Sequence, residues 1–359
     1  MQVRKRLDPS ILNLPVEKMR SGYYADQDLT RAQQVLLRDG HHPQVLMVVY
    51  PHQDVVACGT DEAIAILKLC SGAPDGQGGW LAGWPHLRVM SLYDGECAAP
   101  YEAVMTIAGD YALFAHLETD FLGVLARRTR VATNTTAVVE AAGGKPVLFF
   151  PARFDHHLVQ TGDGYAAYIS GALGVGTDAQ GAWWGRPGLA TVPLSFIACY
   201  GGDTVRAAEK FAQHLETDVD IIVAVDFQDN CEETALAVAQ RLGRRLWGVR
   251  LGNDERTPAA SGGDALLADT PIPQRVHNVR RVLDQAGFEH VKIVVADDFT
   301  PERIRAYEQA EVPVDAYAVG RYLLRGDFPY TADVVEVDGR PCARAGAHYR
   351  PNPRLSPVE

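Results

Sequence analysis

The chain lacks any apolar run near the ~20 residues that a membrane-spanning helix needs, so nothing in it reads as a span. Its basic start, MQVRKRLDPS, is followed by no apolar signal-peptide core, and the expected compartment is the cytoplasm. It also lacks positive charge in excess. Against 45 Asp and Glu stand 34 Lys and Arg, a formal net charge of −11, which speaks against a general nucleic-acid binder. None of the six cysteines (Cys58, Cys70, Cys97, Cys199, Cys231 and Cys342) belongs to a CxxC pair, and no Cys/His cluster has zinc spacing. They read as reduced thiols. The runs DGHH (39–42) and DHH (155–157) place candidate ligands side by side, where they seldom point at one ion, so no metal ligand set is assigned. Internal repeats and low-complexity linkers are absent.

What remains is a chain of 359 residues, 47% hydrophobic and 22% charged, long enough for two domains and ordinary for a soluble enzyme. Residues 1 to about 120 mix β-like runs (QVLMVVY, DVVACGT) with a helical one (TDEAIAILKLC). The Gly- and Pro-rich SGAPDGQGGWLAGWP reads as a surface loop. From about residue 125 short apolar strands alternate with helices: KPVLFF, DIIVAVDF, RLWGVRLGND, VKIVVADDF and DAYAVG are strands, and amphipathic segments such as DTVRAAEKFAQHL and NCEETALAVAQRLG separate them. That order predicts a parallel α/β barrel. ADVVEVDGRPCARAG reads as a hairpin turning at Asp338-Gly339. The expected division is an N-terminal α+β domain over 1–125, joined by the C-terminal hairpin region 331–359, and a barrel domain over 126–330.

Parallel barrels present their sites at the C-terminal strand ends. Those ends supply Arg153 and Asp155, Thr177 and Asp178, Asp226 and Asp229, Arg250 with Asn253 and Asp254, Asp297 and Asp298, and Arg321. Carboxylates and arginines together suit an anionic leaving group beside a polyhydroxy group. One end is odd. In VVADDFTPERI a strand runs into a helix opened by Thr300, Pro301 and Glu302, a geometry whose bare N–H groups usually bind phosphate. Here it carries two aspartates.

The ordered segments SGYYADQDL, HLETDFLGVLARRTRVATN, FFPARFDHH, GDGYAAYISGALGVGTDAQ, ATVPLSFIACYGGDTVRAAEKF, VDFQDN, GVRL and VPVDAYAVG together resemble the nicotinate phosphoribosyltransferase family over about residues 20 to 355. The resemblance implies a type II phosphoribosyltransferase fold: an N-terminal α+β sandwich domain plus an incomplete parallel α/β barrel. It also implies a homodimer with sites at the subunit boundary, transfer from phosphoribosyl pyrophosphate to nicotinate, magnesium with the donor's diphosphate, and ATP coupling through a phosphohistidine. Several positions depart from the family pattern. The segment matching ATVPLSF usually carries glycine and histidine where Ala190 and Leu194 stand, so coupling through a phosphohistidine is not expected. A serine and two glycines that close on the donor's 5′-phosphate are replaced by Ala296, Asp297 and Asp298. Ala318 and Arg321 replace small residues after the last strand. Gly252, Asn253 and Asp254 follow GVRL where an aspartate usually continues.

These departures lead to an expected change of donor. The leading expectation is a glycosyltransferase moving a sugar from a diphosphate-activated donor, a nucleotide-sugar included, to a heteroaromatic N or S nucleophile in specialised, antibiotic-type metabolism. The alternatives are a nicotinate phosphoribosyltransferase of NAD biosynthesis, with Arg321 and magnesium offsetting the aspartates, and a non-catalytic ligand-binding homologue. Arg153, His156 and Asp226 are the candidate catalytic residues. Tyr23, Tyr24, Arg130, His157, Thr177, Arg250, Asp254, Asp297, Asp298 and Arg321 are the candidate binding residues. Arg130, Arg153 and Arg250 would hold anionic groups. Asp226, Asp297 and Asp298 would hold sugar hydroxyls or a cation. Tyr23 or Tyr24 would stack on the acceptor from the other subunit, and His156 or His157 would bind phosphate or act as a base. Partners are small molecules and a second copy of the chain, with no nucleic acid and no membrane.

Overall fold

The structure, a computed structural model, describes residues 5–215, 220–228, 230–252, 272–345 and 349–359. Asp229, Asn253 and Asp254 lie outside the described residues. The chain forms two compact units, Met1–Thr133 with Gly326–Glu359, and Asn134–Arg325. Among the described residues no helix is long and apolar enough to cross a membrane.

The first unit is built on a six-stranded antiparallel sheet. Its strands lie in the order Arg340–Pro341, Tyr330–Val337, Gln44–Pro51, Met105–Asp110, Arg88–Ser91, Ser356–Pro357. Three of these come from the C-terminal segment, so the end of the chain completes the sheet that its start begins. Asp338 and Gly339, at φ 50° and 74°, connect the first two strands, the left-handed pair that a two-residue hairpin needs. Helix Thr60–Cys70 is buried along nearly its whole length and packs Ile64, Ile66 and Leu67 into the same core as Val49, Met105 and Ile107. Its buried carboxylates are paired, Asp61 with Arg6 at 2.8 Å and Glu62 with Arg128 at 2.9 Å. The stretch 71–85, read as a loop, instead holds a small hairpin of Gly72–Pro74 against Trp80–Ala82. Asp75 closes its tip by accepting the N–H groups of Gln77 and Gly79, and the Trp80 indole donates to Ser71 O at 3.1 Å.

The second unit is a curled, seven-stranded parallel sheet, half of a barrel. Its order is Thr191–Val192, Ile221–Ala224, Leu246–Gly252, Lys292–Asp297, Ala316–Val319, Val147–Phe149, Gly174–Val175. Register fixes which side chains share a face. Arg250 pairs with Ala224 and Val294, Val294 with Ala316, and Ala318 with Leu148. Leu148, Ile222, Val294, Ala316 and Ala318 form one packed cluster, with Phe150 and Ala296 against it. This is the inner face. The opposite parity (Ile293, Val295, Tyr317, Val319) faces the helices: Tyr317 meets Phe299 edge-on at 4.9 Å, and Phe299 meets Tyr307 of helix Pro301–Gln309 at 5.2 Å.

Candidate functional site

The inner face of the half-barrel is lined by small residues, with Gly248, Gly252, Ala296, Ala318 and Gly320 on its parity. A few polar side chains stand at its C-terminal edge. Asp226 follows strand Ile221–Ala224 and is tied to the neighbouring strand end, where Gly252 N donates to Oδ2 at 2.7 Å. A Cβ built on Gly252 would lie 3.2 Å from that Oδ2 and 3.5 Å from an Arg250 Nη. Asp226 therefore closes tightly over a glycine whose Cβ would also press on Ala296 O at 3.2 Å, with Arg250 at ordinary contact distance. Asp226 Oδ1 and Arg250 Nε are both buried without a hydrogen-bond partner among the described residues. Buried polar atoms left unpaired carry a cost, and a ligand that pairs with them removes it.

The two aspartates of VVADDF separate by strand parity. Asp297, paired in register with Val319, points to the helix side. Its carboxylate lies 2.5 Å from Arg303 of helix Pro301–Gln309, with the two side chains only 2% and 8% exposed, and its Oδ1 accepts the Asp298 N–H at 2.7 Å. Thr300 caps the same helix by accepting from Arg303 N at 3.3 Å. Asp297 thus holds the strand to its following helix, which corrects the reading of it as a sugar-hydroxyl ligand. Asp298 falls on the inner parity and pairs with Arg325 at 2.8 Å. Its Oδ1 is buried and takes no hydrogen bond from a described residue. Both carboxylates therefore carry a cationic partner. The expectation of a nucleotide-sugar donor rested on two uncompensated charges, and that premise fails. Three arginines (Arg303, Arg321, Arg325) stand against two aspartates at this corner.

The remaining positions take other parts. Thr177 Oγ1 donates to Gln160 Oε1 and accepts from Gln180 N, which makes it the cap of helix Asp178–Gly181. His156 is a cap as well: its Nδ1 accepts from Leu158 N at 3.2 Å, and its ring lies 4.2 Å from that of His157. The cap engages the Nδ1 lone pair of His156. Arg153 and His157 are exposed, and Arg153 makes no hydrogen bond or ion pair with a described residue. Leu194 begins the short helix Leu194–Cys199 and is 39% exposed, an apolar side chain at the position where the family resemblance places histidine. Tyr23, Tyr24 and Arg130 belong to the first unit. The tyrosines are exposed and meet edge-to-face at 4.9 Å, and Arg130 Nε is buried and unpaired among the described residues.

Four residues escaped the sequence reading: Arg303, Arg325, Phe154 and Gly320. Arg303 had a signal, since alternation along IVVADD puts Asp297 on the helix side, within reach of the first turn of the next helix. Phe154 had none, because only the fold brings it to Gly320.

The fold is that of type II phosphoribosyltransferases, an N-terminal α+β unit with an incomplete parallel barrel, and comparison with known proteins agrees. A family model described as quinolinate phosphoribosyl transferase, N-terminal domain, matches residues 28–129. Nicotinate phosphoribosyltransferase pncB1 of Mycobacterium tuberculosis is 29% identical over 270 residues, 72% of this chain and 56% of that protein. The Bacillus subtilis nicotinate phosphoribosyltransferase is 24% identical over 262 residues, 70% of this chain and 49% of that protein. The chain spans about half the length of these curated relatives. Among solved structures, nicotinate-nucleotide pyrophosphorylase from Pyrococcus furiosus superposes with a TM-score of 0.77 at 28% identity, covering 93% of this chain and 80% of that one. Human nicotinic acid phosphoribosyltransferase, at 17% identity and a TM-score of 0.63 over 88% and 75% of the two chains, shares the fold. Over about 70% of its length the chain is similar to nicotinate phosphoribosyltransferases.

Proposed function

We propose that the protein transfers a phosphoribosyl group from phosphoribosyl pyrophosphate to nicotinate, giving nicotinate mononucleotide and pyrophosphate, a step of NAD biosynthesis. The observation that carries this reading is the pairing of Asp297 with Arg303 and of Asp298 with Arg325, which leaves the strand-end corner able to receive an anion. The names of the relatives support the acceptor.

In this reaction the pyridine nitrogen's lone pair forms the bond to the anomeric carbon while the bond from that carbon to the diphosphate oxygen breaks, its electron pair leaving with pyrophosphate. The nitrogen becomes a pyridinium and no proton is transferred, so no general base is required. A capped His156 fits that chemistry. The work left to the chain is to hold donor and acceptor in line and to stabilise the departing diphosphate. Arg250 supplies charge on the inner face, and Asp226 offers an oxygen to a ribose hydroxyl. The unpaired Asp226 Oδ1 also fits magnesium, which binds through one or two carboxylates and the substrate's phosphates. When bound, magnesium would neutralise diphosphate charge. Among the described residues no cluster of three or more His, Cys, Asp or Glu could hold a metal by itself. A homodimer, with Tyr23 or Tyr24 of a second copy stacking on the acceptor, is part of the same proposal.

The test is a donor and acceptor panel with magnesium: phosphoribosyl pyrophosphate or a nucleotide-sugar, each with nicotinate, nicotinamide or quinolinate. The expected product is nicotinate mononucleotide from the first donor and nicotinate. Turnover with a nucleotide-sugar alone, or with no pair at all, would overturn the reading.

A further inference from the structure

The end of strand Ala316–Val319 holds a bare glycine, Gly320, where a phosphate could ordinarily close on backbone N–H groups. Here the space above it is taken. A Cβ built on Gly320 would meet Phe154 Cε2 at 2.6 Å, so the phenyl ring lies directly over the backbone. On the same ring rests the Arg321 guanidinium, 5.1 Å from its centroid. Phe154 comes from the loop after strand Val147–Phe149, which neighbours Ala316–Val319 in the sheet. The two exposed arginines of this turn differ. Arg325 is committed to Asp298 at 2.8 Å, whereas Arg321 makes no ion pair with any described residue. A cation held over an aromatic face by the ring's quadrupole spends no N–H group on an ion pair, so the guanidinium keeps its donors for an anion. On the inner face Ala296 and Ala318 present methyl groups, which offer no donor.

We infer that Arg321 is the ligand of the donor's phosphate monoester, and that Phe154 is a positioning residue that blocks a backbone cradle and orients the guanidinium in its place. The subsite recognises a phosphate dianion by side-chain charge instead of by amides. The inference rests on the donor named under the proposed function.

Titration calorimetry of phosphoribosyl pyrophosphate with magnesium separates the two. The wild type should bind it. Arg321→Met should weaken binding by roughly tenfold or more, the scale of a lost charge-assisted pair, and steepen no salt dependence. Phe154→Leu should weaken it by a smaller factor, and Phe154→Tyr should restore it. In turnover, Arg321→Met should raise the donor KM and leave the nicotinate KM unchanged. A wild type that does not bind this donor sinks the proposed function. A wild type that binds, with Arg321→Met binding equally, sinks the inference while leaving that function standing. Wild-type affinity in Phe154→Leu removes the platform role.

Discussion

Replacing Asp297 by alanine would take its carboxylate away from the buried Arg303 guanidinium, both side chains being at most 8% exposed in the native pair. Breaking such a pair costs about 3–5 kcal/mol, so the denaturant midpoint of Asp297→Ala should fall by that measure. Asp298→Ala should cost only about 0–1 kcal/mol, because its pair with Arg325 is 31% and 48% exposed. Its effect should appear in donor affinity instead. Equal stability losses in the two variants would show that strand parity does not divide their roles. The sequence showed that two aspartates stand where phosphate-binding glycines are usual, and it could not show their partners. Charge repulsion argued from residue types alone counted two carboxylates and missed Arg303 and Arg325, which reach them only across a strand-to-helix turn and a 3-10 turn.

At the scale of elements, most of the barrel was legible. Its strands are buried on both faces and therefore read as continuous apolar runs, and its helices announce themselves with caps. Thr300 with Pro301 is one such start, and the structure shows Thr300 accepting from Arg303 N. Thr300→Ala should cost about 1 kcal/mol, measured by thermal or denaturant unfolding, and should loosen the Asp297–Arg303 tie because both ride on that turn. No loss of stability would mean the cap is redundant. The Asp338-Gly339 hairpin was legible for a similar reason, since few dipeptides accept two left-handed residues in a row. The small hairpin in 71–85 was not. Its strands are three residues long, too short to show alternation, and its glycines read as loop. The capping contacts of Thr177 and His156 were not legible either, because a polar residue at a strand end looks the same in sequence whether it binds a ligand or a backbone N–H.

At the scale of the whole molecule, the first unit concentrates carboxyl groups that burial makes reluctant to ionise. Burial and the nearby Asp61 push Asp94 up to about 7. Burial, with Asp333 and Asp28, raises Glu118 to about 7, and burial raises Asp120 to about 6. In the unfolded chain these groups titrate near pH 4. Between about pH 4 and 7 the folded state therefore holds more protons than the unfolded one, and stability falls as pH rises. The stabilisation is complete below about pH 4 and lost on passing through pH 6 to 7. Groups shifted the other way, such as Asp333 beside Arg344, act at lower pH. The melting temperature should thus decline from pH 5 to pH 8, and Asp94→Asn, which can still accept from Thr60 N, should flatten the decline. Parallel curves for the two proteins would refute the assignment to Asp94.

The central claim, phosphoribosyl transfer to nicotinate without ATP coupling, is tested most directly by product stoichiometry. Purified protein with nicotinate, phosphoribosyl pyrophosphate and magnesium should release nicotinate mononucleotide and pyrophosphate in equal amounts. Added ATP should change neither rate nor yield, since Leu194 offers no nitrogen to phosphorylate. Absence of nicotinate mononucleotide, or its formation only when ATP is hydrolysed, would contradict the account.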